Sequence, residues 1–368
     1  MDLSVSKKIF FQSLSHFQSV VEKRNTIPIL SNLKLKAYNG NLEVTATDLA
    51  LEISEKILAN IKTEGELTIP SQLLFDIVRK APEDSRIELR EESESGQVFI
   101  FFGDSKFSLP YLPTSDFPEM EEGNLNQSIS LDSKKLSYLL NDTKFSMGVD
   151  ESRQYLNGIY FHHNENKLIA VATDGHRLSK CQVICEQNFT DFEGIIIPKK
   201  TVFEITKILE NVSESIKLSF SKTKIKLDVK NLILTSKLLN ANFPDYESVI
   251  PKKNELIMKT DSDSFAETID RVSTVSSEKF RTVKLDISEN LCVVSSFGQE
   301  KSAGTEQVKV EYSGPNININ FNAKYILDVL SILKRGEISL SFSIDTAPTV
   351  LESIESPDSL YLIMQMRS

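Results

Sequence analysis

The stretch VATDGHRLS, residues 171–179, places a carboxylate (Asp174), a glycine, an imidazole (His176) and a guanidinium (Arg177) in four consecutive positions. A carboxylate and a histidine two residues apart share one face of a strand. They would supply two thirds of a hydrolytic relay, which needs a nucleophile and an oxyanion site to be complete. That reading makes the chain a cytosolic hydrolase centred on Asp174 and His176. The rest of the sequence withholds what such an enzyme needs. It has no G-x-S-x-G elbow and no glycine-rich phosphate loop, and its 13 glycines are scattered singly. Gly175 should break the strand into a turn, where Asp174 caps nearby backbone N–H groups. A metal site fares no better. Cys181 lies on the alternating stretch RLSKCQVI and Cys185 directly follows it, about 13 Å away at ~3.3 Å per strand residue, whereas zinc ligands converge to about 2.0–2.3 Å from one ion. His162 and His163 are adjacent in GIYFHHN and point to opposite faces. No catalytic residue, metal or cofactor is expected.

The bulk properties are those of a globular chain of two or three domains. Of its 368 residues, 40% are hydrophobic and 26% charged. No apolar run approaches the ~18 residues of a membrane span, and the opening MDLSVSKKIFFQSLSHF lacks a signal-peptide core. Three cysteines are too few for a disulfide framework, so a reducing cytoplasm is expected. The net charge of −10 argues by itself against nucleic-acid binding.

Internal repetition is the strongest organising signal. Ala46-Thr47-Asp48 recurs as Ala172-Thr173-Asp174, and Phe117-Pro118-Glu119 as Phe243-Pro244-Asp245, both 126 positions apart. The segments ELTIPSQLLFDIVRK (66–80) and GIIIPKKTVFEITKIL (194–209) match at a spacing of 128 between their Ile-Pro pairs. A worn third copy survives in INFNAKYILDVLSIL (319–333) and ENLCVVSSFGQE (289–300). Each copy opens on an amphipathic helix, at 7–23, 132–147 and 262–277; the first carries Ile9, Phe10, Leu14, Phe17, Val20 and Val21 at helical spacing. Alternating strands follow, then a second helix introduced by Pro70, Pro198 or Asn322, then more strands. This pattern predicts a doubled helix-plus-sheet unit in each copy. The acidic run EDSRIELREESESGQ reads as a solvated hairpin.

Carrying these copies and these residues, the sequence resembles the bacterial DNA polymerase III beta subunits, the sliding clamps, over nearly its whole length. The resemblance rests on TIPILSNLKL (26–35), QYLNGIYF (154–161), VATDGHRLS, TSKLLNANFPDY (235–246), SEKFRTVKL (277–285), FNAKYILDVL (321–330) and YLIMQMR (361–367). It implies an α+β fold of three tandem clamp domains, 1–125, 126–252 and 253–368. Antiparallel sheets would lie outside, two helices per domain would line a central hole, and two chains would close head to tail into a ring. The implied function is that of a non-catalytic processivity factor of a DNA-directed DNA polymerase, cytoplasmic and associated with the replisome and nucleoid. Its implied partners are double-stranded DNA without sequence preference, the replicative polymerase alpha subunit, the clamp-loader delta subunit, other polymerases and repair proteins, and a second copy of the chain, with no membrane.

By the same resemblance a pocket for short peptide motifs is walled by Leu156, Thr173, Gly175, His176, Arg177, Leu178, Pro244, Val249, Phe280, Asn322, Tyr325, Ile363, Met364, Met366 and Arg367. Thioether and apolar surfaces would receive leucine or phenylalanine side chains, and His176, Arg177 and Arg367 would bond peptide carbonyls or carboxylates. Ser248, Gln365 and Ser368 depart from the family pattern towards a more polar pocket. Arg24, Lys199 and Lys200 are the implied DNA contacts. Phe107 and Leu109 would pack on the partner copy against Thr274 and Val275, where the small Thr274 implies a weaker dimer. The six helical segments together carry +5 against −10 for the whole chain, leaving −15 elsewhere. A modest basic excess thus falls on the lining, although 260–277 carries −3.

Overall fold

In the computed structural model the described residues are 1–368 except 22–26, 93, 122, 186–191, 277–280, 334–335, 344–346 and 367–368, with the side chain at 300 also excluded. Arg24, Phe280, Arg367 and Ser368 therefore lie outside the described residues.

Among the described residues, apolar positions at three-to-four spacing fold into six α-helices: α1 Lys7–Phe17, α2 Ser71–Lys80, α3 Ser133–Asn141, α4 Lys199–Leu209, α5 Ser262–Ser273 and α6 Ala323–Ile332. The opening helices are shorter than their amphipathic windows. After Phe17 the chain tightens, with the Val20 and Val21 N–H groups both donating to the Phe17 carbonyl, which still delivers Val20 to the core. Pro70 stands at the N-cap of α2 and Pro198 closes the strand before α4, so both precede the helix rather than occupying its first turn. Asn322 caps α6 with its side-chain oxygen, 3.0 Å from the Lys324 N–H.

The chain divides into two compact units: Met1–Lys134 with Phe203–Leu238, and Lys135–Val202 with Leu239–Ser368. The second sequence repeat contributes to both. In the first unit an eight-stranded antiparallel sheet runs Gln127–Asp132, Ser215–Phe220, Lys224–Val229, Leu232–Lys237, Leu51–Leu58, Asn41–Thr47, Asn32–Tyr38 and Gly65–Pro70. Its counterpart in the second unit runs Ile195–Pro198, Gly158–Asn164, Lys167–Thr173, Arg177–Ile184, Ser359–Ile363, Thr349–Ser353, Glu337–Phe342 and Leu256–Asp261. Four strands of each come from one repeat and four from the next. Within a repeat, each half has the order strand, helix, three strands, with Asn60–Thr63 an additional strand in the first repeat, and the first strand of each half pairs into the sheet of the other half. The doubling expected from the sequence is thus present in interleaved form.

The first unit also holds a five-stranded sheet that ends on Ser105–Pro110, and the second a four-stranded sheet that ends on Ala303–Lys309. The acidic run forms the hairpin Arg86–Glu92 with Gln97–Phe102 in the five-stranded sheet. Alternation sets the cores: Leu51, Ile53 and Ile57 point inward while Glu52 and Ser54 do not. Under α5 and α6, Met258, Phe265, Ile269, Val283, Phe321, Ile326 and Phe342 pack together, each worth about 1.5–3 kcal/mol of burial.

The repeated Ala-Thr-Asp motif builds one turn twice. Asp48 Oδ1 accepts from the Ala50 and Leu51 N–H groups at 2.9 and 2.7 Å, and Asp174 Oδ1 from those of His176 and Arg177 at 2.9 and 3.0 Å. Thr47 and Thr173 each donate a hydroxyl to the carbonyl four residues on, at 3.0 and 2.6 Å. The residue after the aspartate is left-handed in both, with φ +88 at Gly175 and φ +74 at Leu49. A leucine there costs about 1–2 kcal/mol in the left-handed region. Leu49→Gly is therefore expected to stabilise the protein by about 0.5–1 kcal/mol in urea denaturation, whereas Asp48→Ala, which strands two N–H groups, should cost ~1–2 kcal/mol.

Candidate functional site

Beside the second of these turns lies a cleft of about 330 Å³. Its floor is apolar, with Leu156, Leu178 and Leu362 all buried. Its rim carries hydrophobic groups left in solvent, Val249 at 49% exposure and Met364 at 41%. Register explains the floor: Leu178 sits opposite Thr173 on one neighbouring strand and opposite Leu362 on the other. Leu156 arrives at the end of a short helical turn, Glu151–Leu156, capped by the Asp150 side chain accepting from the Ser152 N–H at 2.9 Å. The Met364 N–H donates to the His176 carbonyl at 2.8 Å, holding the C-terminal segment to the turn. Gly175 takes its left-handed φ without the strain that Leu49 bears, and a Cβ there would come 2.9 Å from a guanidinium nitrogen of Arg153, which would have to shift.

Arg177 fixes this corner. Only 9% of its side chain is exposed, yet three different elements accept from it. Its Nε donates to Asp174 Oδ2 at 3.1 Å, Nη1 to Asp328 on α6, and Nη2 to the Phe145 carbonyl at 2.6 Å. The guanidinium plane also lies over the Tyr325 and Phe145 rings, at 4.6 and 5.4 Å. Arg177 is thus committed within the protein rather than held ready for a peptide carboxylate.

Asp174 is similarly spent, one oxygen on two backbone N–H groups and the other on Arg177. His176 is exposed, with its ring 6.3 Å from Tyr325. This wiring makes Asp174 a turn residue, and the hydrolytic pair of the first reading is not assembled. Cys181 and Cys185 are buried, and burial pushes the Cys181 thiol up to about 12. Among the described residues no group of three or more His, Cys, Asp or Glu is placed to hold a metal.

Eight of the residues singled out from the sequence line this cleft: Leu156, Thr173, Gly175, Arg177, Leu178, Pro244, Val249 and Met364. Five others stand outside its lining. Ile363 is in the core, Asn322 caps α6, Met366 bridges to Asn320, and His176 and Tyr325 stack beside Arg177. The lining adds Arg153, Tyr155, Asp245, Tyr246, Pro348 and Leu362. Tyr246 and Leu362 were visible within FPDY and YLIMQMR; Pro348 carried no signal in the sequence. Ser248 donates to the Asp245 carbonyl at 2.7 Å and Gln365 to the Ala347 carbonyl at 3.2 Å, so both polar departures are used locally.

The 243–249 wall rests on aromatic packing. Tyr160 stacks on Phe243 at 4.9 Å and on His162 at 4.8 Å, and His162 Nε2 lies 3.0 Å from the Tyr246 hydroxyl. Burial pushes the His162 pKa below its ordinary 6.5, and Lys180 acts the same way against the opposing His163 carbonyl and Glu247.

Elsewhere, Lys199 and Lys200 are half-buried at the start of α4. Phe107, on the edge strand, stacks on Phe102 at 5.5 Å and is partly exposed, whereas Leu109 is buried. Thr274, at the C-cap of α5, donates its hydroxyl to the Asp270 carbonyl at 3.1 Å, with half-buried Val275 next to it.

Two predictions follow from this geometry. Arg177→Ala leaves two carboxylates and a carbonyl without their donor and is expected to cost about 3 kcal/mol in urea denaturation; Arg177→Lys, a single point donor, should recover less than half. For His162 the folded pKa lies below the unfolded one. The unfolded chain therefore binds more protons below about pH 6.5, and stability falls as pH drops through that window. Thermal unfolding at pH 7 and pH 5.5 should show this loss, and His162→Gln should flatten it.

Comparison with known proteins covers the chain from end to end. Models of the DNA polymerase III beta subunit match in its N-terminal domain over residues 1–121, its central domain over 130–245 and its C-terminal domain over 247–367. The beta sliding clamp of Caulobacter vibrioides is 37% identical over 371 residues and that of Escherichia coli K12 is 32% identical over 368, each with 100% of both chains covered. A crystal structure of the sliding clamp (DNA polymerase III subunit beta) from Bartonella birtlesii bound to griselimycin superposes with a TM-score of 0.96 at 36% identity, covering 100% of both chains. The DNA polymerase III subunit beta from Pseudomonas aeruginosa gives 0.95 at 31%, again over 100% of both.

Proposed function

The chain belongs to the DNA polymerase III beta subunit family, the beta sliding clamps, and from that premise we propose that two copies close head to tail around duplex DNA and dock partner peptides in the cleft beside Arg177. Its function is that of a sliding clamp, a processivity factor that tethers the polymerase and catalyses nothing itself.

One observation supports the ring: among the sheet-end strands of the described residues, two are repeat counterparts of strands that pair with each other elsewhere in the chain. Leu51–Leu58 pairs with Leu232–Lys237, and Arg177–Ile184 with Ser359–Ile363. By repetition Ala303–Lys309 is the third strand of the first kind, and Ser105–Pro110 is the third of the second kind. Each lies at the end of its sheet. Pairing them between copies repeats the same joint and covers both edges, with Phe107 and Leu109 of one copy set against Thr274 and Val275 of the other. The domains are assigned as 1–125, 126–252 and 253–368.

Contacts to DNA are assigned to Arg24, Lys199 and Lys200, as phosphate contacts that let the ring slide. Lys7 is not among them, since it is buried and bonded to Glu83 at 2.6 Å. The cleft is assigned to short motifs of the replicative polymerase alpha subunit, the clamp-loader delta subunit, and other polymerases and repair proteins that compete for it. Apolar anchors would fill the leucine floor, and His176, Tyr325, Met366 and the C-terminus would extend the site. The assigned compartment is the cytoplasm, at the nucleoid. No helix among the described residues is long and apolar enough to cross a membrane.

Loaded onto nicked circular DNA by a matching clamp loader, the protein should stay bound through gel filtration and be lost when the circle is linearised. Equal retention on both forms would sink the ring. Arg24→Ala should shorten retention, more so at high salt, with the dimer intact. Deleting residues 364–368 should abolish micromolar binding of a QLxLF-type peptide, and undiminished binding would move the site elsewhere.

A further inference from the structure

We infer that the first unit carries a second cleft of the same design as the docking cleft, and that Glu52, Thr235 and the Lys34–Glu119 pair keep apolar motifs out of it. The inference rests on the docking reading above and extends it to specificity.

The two eight-stranded sheets correspond position by position. Glu52 lies opposite Thr47 on one side and Thr235 on the other, as Leu178 lies opposite Thr173 and Leu362. Lys34 lies opposite Thr45, as Tyr160 lies opposite Val171. The FPEM segment at 117–120 corresponds to the FPDY segment at 243–246. Partly overlapping the corresponding place, the first unit has a cleft of about 240 Å³, and four of its eleven lining positions are common to both clefts: Glu52 for Leu178, Thr235 for Leu362, Glu119 for Asp245 and Met120 for Tyr246.

The linings differ in kind. Where Tyr160 stacks on Phe243, Lys34 pairs instead with Glu119, and Phe117 packs away against Ile29 and Leu30. Glu52 accepts the Met120 N–H at 3.0 Å, and its carboxyl pKa is raised mainly by burial. Lys36, Lys226 and Glu43 add further charges of both signs, beside Thr45, Ser54 and Ile233. A leucine docked here would strip the remaining water from Glu52 and from the Lys34–Glu119 pair without replacing their hydrogen bonds, a cost that apolar contact does not offset. Rejection is therefore built into the lining of a cleft whose strands retain the docking geometry.

Calorimetric titration of the full-length protein with a synthetic QLxLF peptide tests this by stoichiometry, which a merely structural role would not change. The wild type should bind one peptide per chain. The triple variant Lys34→Tyr, Glu52→Leu, Thr235→Leu should bind two, and adding Leu178→Glu should remove one of them. A wild type that already binds two, or a folded triple variant that gains none, overturns the inference. Should the triple variant lose its cooperative melt, Glu52→Leu alone decides by fluorine NMR of a labelled peptide: a second bound population supports the inference, and a single one overturns it. A wild type that binds none sinks the docking reading instead, and the triple variant's gain of one site or none still judges the first-unit cleft.

Discussion

The second unit is organised around one buried cation. Arg177 reaches Asp174 in its own turn, Asp328 on α6 and the carbonyl of Phe145, and its guanidinium carbon stands over two aromatic rings. A guanidinium is suited to this because its five donors leave in fixed directions from one plane. Removing it from water is costly, so every acceptor has to be in place before the burial is favourable. The turn, the helix and the loop are thus fixed relative to one another, and the cleft floor inherits its shape from that arrangement.

The strand registers do the complementary work. They bring Leu178 and Leu362 side by side from positions far apart in sequence, and they place Glu52 and Thr235 in the same relation in the other unit. The same register thus carries a largely apolar lining in one unit and a largely charged one in the other.

Much of the fold was legible in the sequence, because it repeats and because its periodicities are clean. Asn41–Thr47 and all six helices follow from alternation or from three-to-four spacing. The turn role of Asp174 followed from its twin at Asp48. The interleaving of the halves was not legible, since no local pattern states that the first strand of each half pairs into the other's sheet. Nor was the commitment of Arg177 to Asp328, a partner 151 positions away, nor Pro348 in the cleft wall. The resemblance named residues of the wider site, but the sequence did not show that Ile363 serves the core and Asn322 the cap.

The interleaved sheets also bear on how the chain can be made. Leu51–Leu58 completes its neighbourhood only when Leu232–Lys237 is available, and Arg177–Ile184 only when Ser359–Ile363 is. A chain emerging from the ribosome exposes each central strand as an open edge while well over a hundred further residues are synthesised. The last such strand, Ala303–Lys309, pairs with Leu291–Phe297 on one side, and among the described residues its other edge meets no strand of its own chain. If that edge pairs with a second copy, as proposed above, closing the joint is a bimolecular step and depends on concentration.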